Sequence, residues 1–194
     1  MLENDFLYPE ILLSAYSQGF FPMADDEGNI YWHNPDPRAI VPLNNIKVPR
    51  SLKQFFKKND IEFRVDSDFE YVIEKCAKRK SSWISPEIQA AFVMFHDAGF
   101  AHSVETYKDG KIVGGLYGVA LGGVFFGESM FSDISNASKA AFYYLAFRMI
   151  DRGFILLDSQ YKNEFTESLG AIEIPKIDYL KILKRALIMP CSLI

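Results

Sequence analysis

Asp158-Ser159-Gln160 follows a short apolar run, Phe154 to Leu157. Side chains two apart on a strand share a face, so Asp158 and Gln160 point the same way if strand geometry continues past Leu157. A carboxylate there can attract or accept a proton, and an amide can orient a reacting amine or oxyanion by hydrogen bonding. A turn or a helix cap accounts for the same residues equally well. A second carboxylate, Glu128, follows the apolar run Val124-Phe125-Phe126 in Gly127-Glu128-Ser129-Met130, where a strand end would deliver it into a crevice. The plainer account is a carboxylate satisfied by backbone N–H groups near the next turn. A third group is cationic: Arg50, Lys53, Lys57 and Lys58 recur at spacings of three and four, which gathers them along one side of a helix. Such a row suits a phosphate backbone, although a solvated helix face has the same composition.

The elements that must position these residues centre on Phe100 to Lys139. From Phe100, alternating residues put His102, Val104 and Thr106 on one side and Ser103, Glu105 and Tyr107 on the other, the period of a strand. Asp109-Gly110 predicts a tight hairpin, because a type I′ turn needs positive φ at both central residues. A second strand follows through Ile112, Val113, Leu116 and Tyr117, and a third through Val124 to Phe126. An almost wholly apolar helix then spans about 136 to 151 and ends at Gly153. Upstream, helices are predicted over Pro9 to Ser17, from Pro49, from Asp68, and from Ser85-Pro86-Glu87, which combines a serine cap with proline at the first helical position. Ile61 to Val65 reads as a strand, and Pro35, Pro37 and Pro42 keep their segment extended or turning. A short helix precedes Gly170, and a last one covers about Ile177 to Ala186. Helices, a three-stranded meander, a helix and a further strand predict an α+β, acetyltransferase-like (GNAT-like) core over residues 46–194. Residues 1–45 form a small N-terminal subdomain.

At 194 residues, with 49% hydrophobic and 15% aromatic content, the chain is long and apolar enough for one packed core. It has no run long enough to span a bilayer and no basic-then-apolar leader pattern, which predicts a cytoplasmic protein. Cys76 and Cys191 give neither a disulfide framework nor metal-ligand spacing, so no metal is expected. The net charge of −4 is uneven: residues 47–80 carry +4 and the remainder −8, a basic face on an acidic protein. No phosphate-cradling glycine loop is present. Acetyltransferase-like folds that use coenzyme A place a glycine-rich turn before the central helix, and here Phe131 to Asn136 holds no glycine. No acyl-CoA or other cofactor is therefore expected. His33, His96 and His102 lack a partner in any nucleophile motif, and His96 reads as structural.

AHSVE at 101–105, VGGLYGVA at 113–120, FFGESMFS at 125–132 and NASK at 136–139, in this order, resemble the leucyl/phenylalanyl-tRNA–protein transferases. Tyr31-Trp32, PDPR at 35–38, Ser82-Trp83-Ile84, Asp158-Ser159-Gln160 and SLGA at 168–171 extend the match from about Leu12 to Leu183. The resemblance implies the same core and a reaction: Leu or Phe passes from the 3′ end of an aminoacyl-tRNA to the α-amino group of a protein beginning with Arg or Lys, marking it for degradation. It makes Asp158 and Gln160 the catalytic pair and lets Glu128 line an anionic pocket for the cationic acceptor. Leu116, Phe125, Phe142, Leu145, Met149 and Leu157 correspond to the family's amino-acid pocket, although the helical stripe alone would also suit plain core. Trp32 and Trp83 correspond to contacts with the terminal adenosine. The chain departs from the family in having Ser159 where cysteine is frequent, Phe165 where histidine is common, and a short N-terminal segment. A monomer is expected. An acyl-CoA-dependent small-molecule acyltransferase and a tRNA-end-binding module without chemistry are the competing readings.

Overall fold

The computed structural model describes residues 7–79 and 82–194. The first residues of the segment read for a leader pattern, and Lys80 of the basic stretch, lie outside the described residues. The chain opens with α1 (Pro9–Ser17) and a hairpin of β1 (Phe21–Ala24) and β2 (Ile30–His33). Next come β3 (Arg38–Val41), α2 (Arg50–Lys58), β4 (Glu62–Val65), α3 (Phe69–Ala77) and α4 (Pro86–Asp97). β5 (Ala101–Lys108), β6 (Lys111–Leu121), β7 (Val124–Ser132) and α5 (Ala137–Asp151) form the middle. β8 (Leu156–Gln160), α6 (Glu164–Ser168), β9 (Ile172–Ile174) and α7 (Lys176–Leu187) complete it.

Local chemistry starts these elements where the sequence predicts. Asp68 accepts the Tyr71 N–H at 3.1 Å to cap α3, and Ser85 accepts that of Ile88 at 3.3 Å to cap α4. Asp109 and Gly110 take φ of 51° and 72°, as a hairpin with two left-handed central residues requires.

The predicted meander is the middle of a larger sheet, with seven strands in the order β4-β5-β6-β7-β8-β3-β9. Every neighbouring pair is antiparallel except β7 and β8. Two of its strands, β3 and β9, are absent from the sequence reading: β3 is a four-residue piece between Pro37 and Pro42 and β9 has three residues, so neither shows the alternation that marked Ile61 to Val65. β3 comes from the N-terminal 45 residues and lies between β8 and β9 in this sheet, while β1 and β2 pair with each other in a separate one. Alternate strand residues feed two cores. One, with Tyr117, Val119, Phe126 and Leu156, is covered by α1, α3, α4 and α7. The other, with Val104, Leu116, Phe125 and Leu157, is covered by α2 and α5. A Cβ built at Gly114 would stand 2.6 Å from that of Ala137, so glycine is what lets α5 lie directly on β6.

Candidate active site

Two irregularities in neighbouring strands make the site. On β7, Ser129 pairs with Tyr117 and Gly127 with Gly118, leaving Glu128 as an extra residue. On β8, Asp158 pairs with Ile40 and Gln160 with Ala39, leaving Ser159 extra. Such bulges re-aim side chains and interrupt pairing. The parallel pairing of β7 with β8 runs from Val124–Leu156 to Phe126–Asp158 and goes no further. A cavity of about 340 Å³ lies where the strands part, lined by Gly127, Glu128 and Ser129 from one and Asp158, Ser159 and Gln160 from the other. This corrects two expectations. Glu128 is inside a strand rather than at its end, and Asp158 to Gln160 belong to β8 rather than following it. Gln160 does not continue strand geometry either: its φ is 63°.

The cavity has two kinds of wall. Val41, Leu116, Phe125, Phe142, Leu145, Leu157 and Leu169 come from the α5 core. Tyr117, Glu128, Ser129, Arg79 and Trp83 line it as well, with Tyr117 belonging to the opposite core. The close approach of β6 to β7 requires Gly118, where a Cβ would fall 2.2 Å from the Phe126 carbonyl oxygen and 2.5 Å from Phe125 Cε1.

Asp158 has no exposed surface and is fully engaged. Arg38, equally buried, donates from Nε to Oδ1 at 3.0 Å and from Nη2 to Oδ2 at 2.6 Å. Tyr179 Oη donates to Oδ2 at 2.7 Å, and the Gln160 backbone N–H donates to Oδ1 at 2.8 Å. Arg38 also donates to the Gly19 carbonyl and lies between the Phe21 and Tyr179 rings, 4.7 and 4.6 Å from their centroids. Burial alone would lower the Arg38 pKa, but the Asp158 carboxylate outweighs it and the net shift is upward. Burial, then Asp158, raises that of Tyr179. The cluster ties α7, β3, β8 and the turn after α1 together, and leaves Asp158 no open lone pair for a substrate proton.

Glu128 is the opposite case. Its Oε1 accepts Tyr16 Oη at 2.7 Å and Gln160 Nε2 at 2.9 Å, while Oε2 is buried without a partner among the described residues. Burial raises its pKa to about 8 against the lowering influence of those two donors. Tyr16 is itself pushed well above its ordinary range, by burial and then by Glu128. This carboxyl is basic enough near neutral pH to hold or release a proton, and one oxygen is uncommitted.

Of the residues expected at the site, Asp158, Gln160, Glu128, Leu116, Phe125, Phe142, Leu145, Leu157 and Trp83 line the cavity. Met149 does not: it is fully buried in the α5 core, on a part of the helix that meets protein rather than the opening. Trp32 sits on β2 opposite Pro22, 39% exposed, and does not line the cavity. Arg50, Lys53, Lys57 and Lys58 are exposed along α2, whose Leu52 and Phe55 enter the core, and they line neither this cavity nor its neighbour. Residues that the sequence reading missed are Tyr16, Arg38 and Tyr179. Arg38 was visible as the last residue of the PDPR motif, but its partner lies 120 residues away, and nothing local marks the two tyrosines. His96 stacks on Phe69 at 4.3 Å and is bonded to the Ala101 carbonyl, a structural role. Among the described residues, no group of three or more His, Cys, Asp or Glu side chains could hold a metal ion, and no helix is long and apolar enough to cross a membrane.

An apolar recess beside a buried carboxyl with raised pKa can seat an apolar substituent next to a group that exchanges a proton near neutral pH, which an acyl-group transferase could use. Comparison with known proteins supplies the particular family. The profile described as leucyl/phenylalanyl-tRNA protein transferase matches residues 40–184, and that of the same proteins' N-terminal domain matches residues 7–36. A leucyl/phenylalanyl-tRNA–protein transferase of Gloeobacter violaceus is 48% identical, over 96% of this chain and 97% of its own length. One of Rubrobacter xylanophilus is 47% identical, over 93% and 95%. The chain belongs to the leucyl/phenylalanyl-tRNA–protein transferase family. Among solved structures, a conserved protein of unknown function from Bacteroides thetaiotaomicron shares the fold, with a TM-score of 0.50 and 14% identity over 95% of this chain and 64% of that one.

Proposed function

We propose that this protein transfers Leu or Phe from the 3′ end of an aminoacyl-tRNA to the α-amino group of proteins that begin with Arg or Lys, marking them for degradation. It would act in the cytoplasm, as a monomer and without a cofactor. In this reading an acetyltransferase-like catalytic domain, residues 46–194, is completed by β3 from a small N-terminal piece, residues 1–45. The observation that carries the proposal is the juxtaposition, where β7 and β8 part, of Glu128 with its uncommitted oxygen and a recess of apolar side chains.

The reaction is aminolysis of an ester and needs a neutral amine. An α-ammonium group has a pKa of about 7.7–8.0, and the Glu128 carboxyl stands at about 8. A proton therefore passes from one to the other at little free-energy cost, and the freed amine attacks the ester carbonyl. As the new C–N bond completes and the C–O bond breaks, a second amine proton leaves with the ribose oxygen as its hydroxyl. Glu128 then returns its proton to solvent. Gln160 donates to the Glu128 carboxylate from Nε2 and, in this reading, orients the amine. Asp158 acts indirectly, by fixing Arg38 and the Gln160 backbone, so the proton acceptor is Glu128 and not Asp158. Leu116, Phe125, Phe142, Leu145 and Leu157 receive the transferred side chain, and Trp83 stacks on the terminal adenine, a contact worth roughly 1–3 kcal/mol.

The test is transfer of radiolabelled Leu or Phe from charged tRNA to a peptide beginning with Arg. Labelled peptide that depends on the protein and on an Arg or Lys terminus supports the reading, and its absence refutes it.

A further inference from the structure

A second cavity, of about 420 Å³, adjoins the first and shares Arg79, Met130 and Phe165 with it. Its remaining wall is Lys75, Lys78, Phe131, Ser132, Asp133 and Ser138. Three cations thus face one carboxylate. Lys75 is held by Asp133 at 2.7 Å, and Lys78 pairs with Glu74. Ser132 Oγ donates to the Ile134 carbonyl and accepts the Ser138 N–H. Arg79 is different. Its Nε donates to the Cys76 carbonyl at 3.2 Å, which fixes the guanidinium, while both terminal nitrogens have no partner among the described residues. A tethered guanidinium with a free fork is suited to a phosphate, which it can hold with two parallel hydrogen bonds.

We infer that this second cavity takes the phosphodiester on the 5′ side of the terminal adenosine, with Arg79 as its anchor. The inference rests on the reading of the first cavity as the seat of a 3′-aminoacyl-adenosine. Continuity carries it. The two cavities meet at Arg79, Met130 and Phe165, so a 5′ oxygen that leaves the first cavity over these residues enters a space with surplus positive charge. Lys75 and Lys78 add to the field, and Asp133 keeps Lys75 in place. This site is separate from the row of cations on α2, which lines neither cavity and would meet phosphates further along the strand.

The experiment compares two donors with the full chain: 3′-phenylalanyl-adenosine, which has no phosphate, and 3′-phenylalanyl-cytidylyl-adenosine, which has one. A charge-assisted hydrogen bond to phosphate corresponds to about tenfold or more in KM, so the dinucleotide should have the lower KM by that factor. Arg79→Ala should collapse the ratio of the two KM values to within about twofold of one, and Arg79→Lys should restore part of it. Should the variants fail to fold, wild-type protein still decides. Its log KM for the dinucleotide should climb with log salt more steeply than that for the adenosine ester, because salt screens the phosphate–guanidinium contact. Equal KM values and equal salt slopes in wild type, or an Arg79→Ala effect equal on both donors, overturn the inference. Consumption of neither donor would instead overturn the reading on which it rests.

Discussion

Two carboxylates share the cavity, and their surroundings give them different work. Asp158 is saturated by Arg38, Tyr179 and the Gln160 backbone, whereas Glu128 has an orphaned oxygen and a pKa of about 8. From sequence alone Asp158 is the natural choice of proton acceptor, because what decides the matter is who else reaches each carboxylate. The deciding partners, Tyr16 and Arg38, are 112 and 120 residues distant. The raised Glu128 pKa has a stability consequence whose sign is fixed. The folded carboxyl stands near 8 against an ordinary value of 4.5. Between those values the unfolded chain has released a proton that the folded chain retains, so this group's contribution to stability falls as pH rises through that window. Glu128→Gln has no such charge to bury. Its melting temperature should exceed that of wild type by a margin that widens from pH 4.5 to 8 and vanishes near pH 4. A margin independent of pH would mean that Glu128 ionises normally in the fold.

At the scale of elements, the site depends on two bulges and on glycines that let strands approach closely. The hairpin at Asp109-Gly110, the capped starts of α3 and α4 and the apolar α5 were all legible, because each is set by residues within one turn or one strand. The bulges at Glu128 and Ser159 were not, since a bulge is defined by register against a partner strand, and β3 shows no period in four residues. The strand ends assigned before Glu128 and before Asp158 were a consequence: polar residues inside a strand look like its termination. Removing the charge at Asp158 should reveal how far β3, β8 and α7 depend on it. Asp158→Asn leaves the buried Arg38 guanidinium uncompensated, which is strongly destabilising, about 3–5 kcal/mol. Urea unfolding should show that loss alongside reduced turnover, and an unchanged midpoint would deny Asp158 its positioning role. Gly118→Ala should cost at least the roughly 1–3 kcal/mol of an overfilled core, because its Cβ has no room beside Phe126 O and Phe125. It should also raise the donor KM by moving Phe125 into the apolar recess, and unaltered unfolding and KM values would contradict this account of the β6–β7 approach.

For the molecule as a whole, an acidic protein presents its positive charge locally. The row on α2 and the cations after α3 both fall in residues 47–80, the +4 segment visible from charge counting. Lys53, Lys57 and Lys58 are exposed and form no ion pair among the described residues, so neither packing nor pairing explains why they cluster. Each phosphate neutralised by such a side chain steepens the dependence of log K on log salt by about 0.7–0.9. Replacing Lys53, Lys57 and Lys58 together with Ala should weaken tRNA binding and flatten that slope by roughly two to three units, with little change for a 3′-aminoacyl-adenosine. An unaltered slope would make α2 a solvated surface. The apolar recess was legible only in part, because helical spacing groups Phe142, Leu145 and Met149 alike, and whether a stripe meets a cavity or a neighbouring side chain is settled by packing.

The central claim is that the uncommitted oxygen of Glu128 receives the acceptor's proton. Single-turnover transfer from phenylalanyl-tRNA to an Arg-initiated peptide, measured for wild type and Glu128→Gln with both saturated by donor, tests it most directly. General acid–base groups contribute roughly 10²–10⁴-fold, so the Gln variant should fall by that factor while still binding the charged tRNA. A Gln variant that transfers within about threefold of wild type would show that the proton goes elsewhere.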